Sequence, residues 1–398
     1  MVGEKTRRKE SLKMRSRIEL NALQILRASV CRIQEVKIMS RKILTVCISL
    51  LLLQSALAQD LPQPKLTPVQ TMEKHEPLIR QGIALHDRGD YDGAIRSYEE
   101  VLKENPDDMV ALYEMAYSYS EKKDHKKSIE LAYRGAQYKS KLLFGFYVLI
   151  GNNLDNMGQP ENAIKTYKSG IRMFPEESLL HFNLAITLLK QNKPDEARKS
   201  LKDAVTFNPA HPGSHIRLGD LYFRENYRIP ALLAMGRFLV LEPKSERATY
   251  ALQVIQDVLG RATEKDDKTG NITVTLDPTA KTDEGDFGAV MGALAILSAA
   301  RHLEKNKNKS EIQMIVDTFT SLFSLMSEGD SKKQQGFAWS YYRPYFAEMK
   351  ARNMVEPFCY YIYQTSQSTE VAKWLAQNTA RVNEFLSWSQ SYQWPRVK

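Results

Sequence analysis

Between residues 75 and 260, apolar positions recur with helical spacing in short segments, and polar turn residues cut the segments apart at near-constant intervals. Five small residues, Gly82, Ala116, Gly151, Ala185 and Gly219, stand 34, 35, 34 and 34 positions apart. Twelve positions after each comes a second small residue: Ala94, Ser128, Ala163, Ala197 and Ala231. Four further on stand Tyr98, Ala132, Tyr167, Leu201 and Met235, and each period closes at Pro106, Ser140, Pro175, Pro209 or Pro243. Turn signals at Gly89-Asp90, Lys123-Asp124, Gly158-Gln159-Pro160 and Lys193-Pro194 split each period into two helices. The pattern therefore predicts five helical hairpins. Ser245 to Leu259 keeps helical spacing through Ala248, Leu252, Ile255 and Leu259 and ends at Gly260, as a capping helix would.

These twenty positions resemble the tetratricopeptide repeat, which pairs a small residue in a first helix with Ala and an aromatic in a second and ends on Pro. The resemblance covers about residues 75 to 260 and implies an all-α solenoid of five repeats. The second repeat departs from the pattern at Ala132 and Ser140, and a one-residue insertion follows it, so a local change of curvature is expected there. The family also implies one concave wall, built mainly of first helices, that holds extended peptides or partner helices. Helical phase counted from the small residues places Tyr113, Tyr117, Asn152, Phe182, Arg217, Asp220, Phe223 and Tyr250 at that wall. A carboxylate clamp of the kind some members carry would need Lys and Asn in several repeats, and only Asn152 fits. An aromatic-lined groove for a protein or peptide partner is the expectation, with each aromatic weighed against a place in the inter-repeat core.

Past the cap the character changes. Residues 261 to 285 read as a linker containing a charge run, a turn and a short alternating stretch at Ile272 to Leu276. From 286 to 398 a separate C-terminal helical domain is expected, with helices near 286–304, 310–327, 335–352, 354–366 and 369–391. Homo-oligomerisation through it is one expected use. Gly288 and Gly292 stand in an apolar run of thirteen residues, too short to span a bilayer and better read as a buried helix. All four tryptophans, Trp339, Trp374, Trp388 and Trp394, fall here with many tyrosines. They serve either as a core or as a stacking platform for sugar or peptide. Within Tyr360-Tyr361-Ile362-Tyr363, at least one tyrosine should be exposed.

Composition then changes the picture in one respect. The chain has 398 residues, 43% hydrophobic and 26% charged, with a formal net charge of +9. That charge suggests nucleic acid until it is located: residues 1 to 58 hold 12 of the 56 basic and 4 of the 47 acidic residues, leaving the remainder near neutral. No nucleic-acid partner is expected. Met39-Ser40-Arg41-Lys42, the apolar run Ile43 to Leu53 and Ala56-Leu57-Ala58 read as a signal peptide cleaved after Ala58, so a periplasmic or secreted protein without a transmembrane anchor is expected. Residues 1 to 38 read as an over-extended start, a mitochondrial-type transit peptide being the alternative its Arg residues raise and its Glu residues oppose. Residues 59 to 74 read as an N-terminal linker. Cys47 lies inside the signal's apolar core, and cleavage leaves only Cys359, which precludes an intramolecular disulfide.

Chemistry is sparse. No His-Glu-x-x-His, Cys-x-x-Cys, Gly-x-Ser-x-Gly or phosphate-cradling glycine loop occurs. His211 and His215 are four apart but straddle Pro212-Gly213 at a repeat boundary, which argues against a shared metal. Cys359 has no neighbouring His or cation to activate it. No catalytic residue, metal or cofactor is expected, and the reading is an exported, non-enzymatic interaction scaffold. The alternative is an envelope enzyme or carbohydrate-binding protein whose site lies in the aromatic C-terminal segment.

Overall fold

The computed structural model describes residues 61, 64–68, 70–260, 263–265, 272–274, 281–300, 306, 308–328 and 335–397. The signal-peptide reading and Cys47 lie outside the described residues. Five helical hairpins follow one another: α1 (Glu76–Asp87) with α2 (Tyr91–Glu104), α3 (Met109–Glu121) with α4 (His125–Gly135), α5 (Leu143–Asn156) with α6 (Pro160–Met173), α7 (Ser178–Lys190) with α8 (Pro194–Phe207), and α9 (Pro212–Arg224) with α10 (Arg228–Leu241). A single helix, α11 (Glu246–Gly260), caps them.

Local chemistry sets these boundaries. Asp90, Asp108 and Asp124 cap α2, α3 and α4 by accepting backbone N–H bonds from the first turn. Pro160, Pro194 and Pro212 open α6, α8 and α9, where no intrahelical N–H is needed. At the other end Asn105, Phe174, Asn208 and Glu242 precede the repeat prolines, and all four leave helical geometry with ψ between 70° and 87°. Between the two helices of each hairpin one residue is left-handed: Gly89, Lys123, Gly158, Asn192 and Asn226 have φ of 81°, 67°, 72°, 54° and 65°. Only two of the five are glycines.

The small residues do what their spacing implies, with a size compensation between helices. A Cβ on Gly82 would overlap the Tyr98 ring, and one on Gly151 would overlap Tyr167. Where the first helix carries Ala116 or Ala185, the second helix carries the smaller Ala132 or Leu201, and all four are fully buried. In the second repeat Ser128, also fully buried, donates to the Ala116 carbonyl at 2.7 Å. The insertion after it is met by the N-terminal segment: Leu66 bridges Tyr138 in parallel, and its N–H donates to the Gln137 carbonyl at 3.0 Å.

The C-terminal third is not set apart from the repeats. Residues 62–398 form one compact unit, and the expected separate domain is instead a layer of helices laid on the end of the solenoid. Its elements are a two-stranded antiparallel ladder of β1 (Thr263–Lys265) and β2 (Ile272–Val274), then α12 (Gly288–Ala300), α13 (Glu311–Glu328), α14 (Phe337–Tyr341), α15 (Arg343–Ala351), α16 (Val355–Ile362), α17 (Thr369–Gln377) and α18 (Thr379–Ser391). Two expected helices are broken. The 335–352 segment interrupts before Pro344, and the 369–391 segment interrupts at Asn378. The layer covers α10, which is buried from Ile229 to Val240.

Among the contacts that fasten that layer, three centre on the buried side chains of His215, Arg237 and Glu284. Tyr342 donates to His215 Nδ1 at 2.8 Å, while His215 Nε2 donates to the Pro209 carbonyl at 3.0 Å. The buried Arg237 guanidinium lies against the Tyr345 and Trp394 rings, 5.5 and 4.9 Å from their centroids, and donates to Ser389 at 2.9 Å. Glu284, in the stretch read as linker, is fully buried; it accepts from Tyr222 at 2.8 Å and pairs with Lys202. Trp339, Tyr341, Tyr342 and Tyr345 are core here. Tyr360 and Tyr363 are buried, and Tyr361 is the least covered of its run. Trp388 and Trp394 stack on Tyr345, and Trp374 stacks on Tyr360 at 4.1 Å, so the aromatic faces are filled by one another.

Candidate interaction surface

First helices touch one another along the array, α1 to α3, α3 to α5 and α5 to α7, as well as their own second helices, which makes them the inner wall. The hydroxyl of Tyr250 on α11 donates to Asp220 on α9, so the cap continues that wall. The C-terminal layer packs on α10 and α11 and reaches His215 and Tyr222 on α9, while Tyr117, Arg217 and Tyr250 stay exposed.

Tyr117, Arg217 and Tyr250 are exposed, the two tyrosines at 39% and 43%, whereas the other tyrosines among the described residues are buried or half-buried. Tyr113, Asn152, Phe182, Asp220 and Phe223 are half-buried. The half-buried ones also serve structure. Tyr113 packs edge-on against Phe146 at 5.6 Å and lies where a Cβ on Gly145 would stand. Asn152 accepts from the Tyr167 hydroxyl at 2.6 Å, and Phe182 meets His211 edge-on at 4.8 Å.

The eight residues fall into two groups rather than one continuous patch. At the N-terminal end Tyr117 stacks on His86 with centroids 4.6 Å apart; Glu114 and Glu121 flank it along α3, and Asp87 follows His86 at the end of α1. Burial first, then those carboxylates, hold the Tyr117 phenol above its usual range. Burial and the neighbouring Asp87 hold the Glu114 carboxyl above the usual carboxylate range. At the C-terminal end Ile216, Arg217, Asp220, Arg224, Arg247 and Tyr250 line an open cleft of about 290 Å³. There Arg224 pairs with Asp220 at 3.0 Å and Arg247 donates through Nε to Glu242 at 3.0 Å, while Arg217 has no acidic partner among the described residues. Burial and the hydrogen bond to Asp220 push the Tyr250 phenol up to about 12. Sequence reasoning singled out Arg217, Asp220 and Tyr250 but missed Arg224, Arg247 and the three carboxylates. Charged residues on repeat faces are mostly solvated, and only their juxtaposition across helices sets these apart.

Elsewhere the reactive groups are engaged. Both His215 ring nitrogens are hydrogen-bonded, and burial pushes the Cys359 thiol well up. His211 Nδ1 lies 2.7 Å from the Ser214 hydroxyl. Among the described residues no three His, Cys, Asp or Glu side chains converge as metal ligands, and no helix is long and apolar enough to cross a membrane.

A family profile described as the tetratricopeptide repeat matches residues 79–141 and 148–226. Residues 79–226 thus carry tetratricopeptide repeats. Proteins of this class are in general interaction scaffolds, and their partners are proteins. Among curated proteins it is similar to BBSome complex member bbs-4 of Caenorhabditis elegans, 24% identical over 261 residues, which is 62% of this chain and 54% of that protein. The chain thus spans about half the length of that relative. Among solved structures, a thermophilic tetratricopeptide repeat protein of Thermus thermophilus is 23% identical, covers 46% of this chain and 98% of its own, and has a TM-score of 0.40. PilF of Pseudomonas aeruginosa is 18% identical over 47% of this chain and 89% of its own, with a TM-score of 0.38.

Proposed function

We infer that this protein is an exported, non-enzymatic scaffold whose tetratricopeptide groove holds an extended segment of a partner protein. The observation that carries the reading is the pair of exposed tyrosines, Tyr117 and Tyr250, standing at opposite ends of the inner wall, where the chain's own C-terminal helices leave both uncovered. Large aromatic side chains left in water are a feature of binding surfaces, because their apolar faces gain most from a partner. Membership of the repeat family supports a protein partner, and the similarity to a member of a multi-protein complex agrees with it. Export rests on the sequence of residues 39 to 58 alone.

Crosslinking capture with the full chain as bait, beside a Tyr117→Ala, Phe182→Ala double variant, tests the groove. The expected result is a specific protein held by the parent and lost by a variant whose circular dichroism is unchanged. Equal capture by both baits overturns the reading. Export is checked separately by N-terminal sequencing of the protein recovered from its native compartment, with Gln59 expected as the first residue.

A further inference from the structure

The inner wall carries opposite charge at its two ends. Glu114 and Glu121 stand one turn before and one turn after Tyr117 on the same face of α3, Asp87 follows His86, whose ring stacks on Tyr117, at the end of α1, and none of the three carboxylates forms an ion pair among the described residues. Arg217, Arg224 and Arg247 gather with Tyr250 on α9 and α11, where Asp220 is the one carboxylate lining the cleft. Between them the wall is neutral: Asn152 and Phe182 are uncharged, and Asp155 and Lys190 cancel each other at 2.6 Å. Asp220 is largely covered and also accepts from Tyr250, whereas the Arg224 guanidinium is 71% exposed and so is open to an incoming carboxylate from the solvent side.

We propose that the groove is polarised: it takes an extended protein segment that places cationic residues around Tyr117 and acidic residues around Tyr250. The proposal rests on the groove reading above and supplies the partner's chemistry. Spacing follows from packing. Neighbouring helices lie roughly 10 Å apart, and four such steps separate α3 from α11, giving about 40 Å along the wall. An extended chain rises about 3.3 Å per residue, so the two charged clusters in the partner stand about 12 residues apart. The charges also fix direction, because a reversed segment sets carboxylate against carboxylate at one end and guanidinium against ammonium at the other.

The test uses the full chain on an array of immobilised peptides that carry a Lys pair and a Glu pair at separations of about 4 to 16 residues on an apolar spacer, in both orders. The best peptide is then measured in solution by fluorescence anisotropy. Retention is expected to peak near the 12-residue separation in one order only. Arg217→Glu with Arg224→Glu should weaken the best peptide by roughly tenfold or more, and replacing that peptide's Glu pair by Lys should restore binding to the variant. Retention that ignores separation and order, or affinity unchanged in the double variant, overturns the polarity. If peptides are retained without charge dependence and lost by the Tyr117→Ala, Phe182→Ala variant, the polarity fails and the groove stands. If no peptide of any pattern is retained, both fail.

Discussion

Gly151 and Gly219 hold equivalent places in their repeats but do not tolerate a methyl group equally. A Cβ on Gly151 would overlap the Tyr167 ring, and that ring is fixed by its hydrogen bond to Asn152. Gly219 faces the Met235 side chain at 3.1 Å, which has three rotatable bonds and yields. Gly151→Ala should therefore destabilise by about 1–3 kcal/mol through overpacking. Gly219→Ala should come out near neutral, because the helix-propensity gain of up to about 1 kcal/mol offsets the repacking. Urea-unfolding midpoints of the two variants check the contrast, and equal losses would contradict it. Lys123 offers the opposite case, since its left-handed φ of 67° in an exposed turn is costly for a residue with a Cβ. Lys123→Gly should raise stability by about 0.5–1 kcal/mol, the relief exceeding the entropy glycine gains in the unfolded chain.

Among the elements, the repeat helices were legible because two independent signals mark each one, apolar periodicity and a stop at Pro106, Pro175, Pro209 or Pro243. The break at Asn378 was not, since periodicity runs through it, whereas the break at Tyr342 had a sign in Pro344 that periodicity overrode. The C-terminal layer left one trace that went unused. Segment 228–241 is apolar all round its circumference, which implies cover on both faces and so a partner layer over the outer wall. Its fastening to the repeats makes acid stability an element-level property. Burial pushes His215 down to about 3, with nearby Arg237 adding to the effect, so it stays neutral in the folded chain well below the usual histidine range. Between pH ~6.5 and ~3 the unfolded chain takes up a proton there and the folded chain does not, so this histidine's contribution falls as pH drops, by about 1.4 kcal/mol per pH unit. His215→Gln should lose stability at neutral pH through the Tyr342 contact. It should also unfold with a shallower pH dependence than the parent between pH 6.5 and 4.5, and parallel slopes would contradict the assignment.

At the scale of the whole molecule, the C-terminal layer and the basic end of the groove share their supports. The helices that present Arg217, Arg224, Arg247 and Tyr250 are α9 and α11, and α10 lies between them in the chain with its outer face covered by Phe346 and Phe358 around Gly236. A repeat array is stabilised largely through nearest-neighbour interfaces, so removing the layer should loosen its end of the solenoid and leave distant repeats intact. A chain ended at Gly260 would expose the apolar outer face of α10 and leave Arg237 without its stacked rings and Ser389. In that truncation amide hydrogen exchange should rise across α9 to α11 while α1 to α4 keep their protection. A hydrophobic dye should bind the truncated chain and not the parent. Uniform protection would instead mean that the repeats stand without the layer. The expected asymmetry also separates the two ends of the groove: in the truncated chain cationic contacts at Tyr117 persist and acidic contacts at Tyr250 weaken. A peptide bearing only the Lys pair should then keep its affinity, whereas one bearing only the Glu pair should lose it.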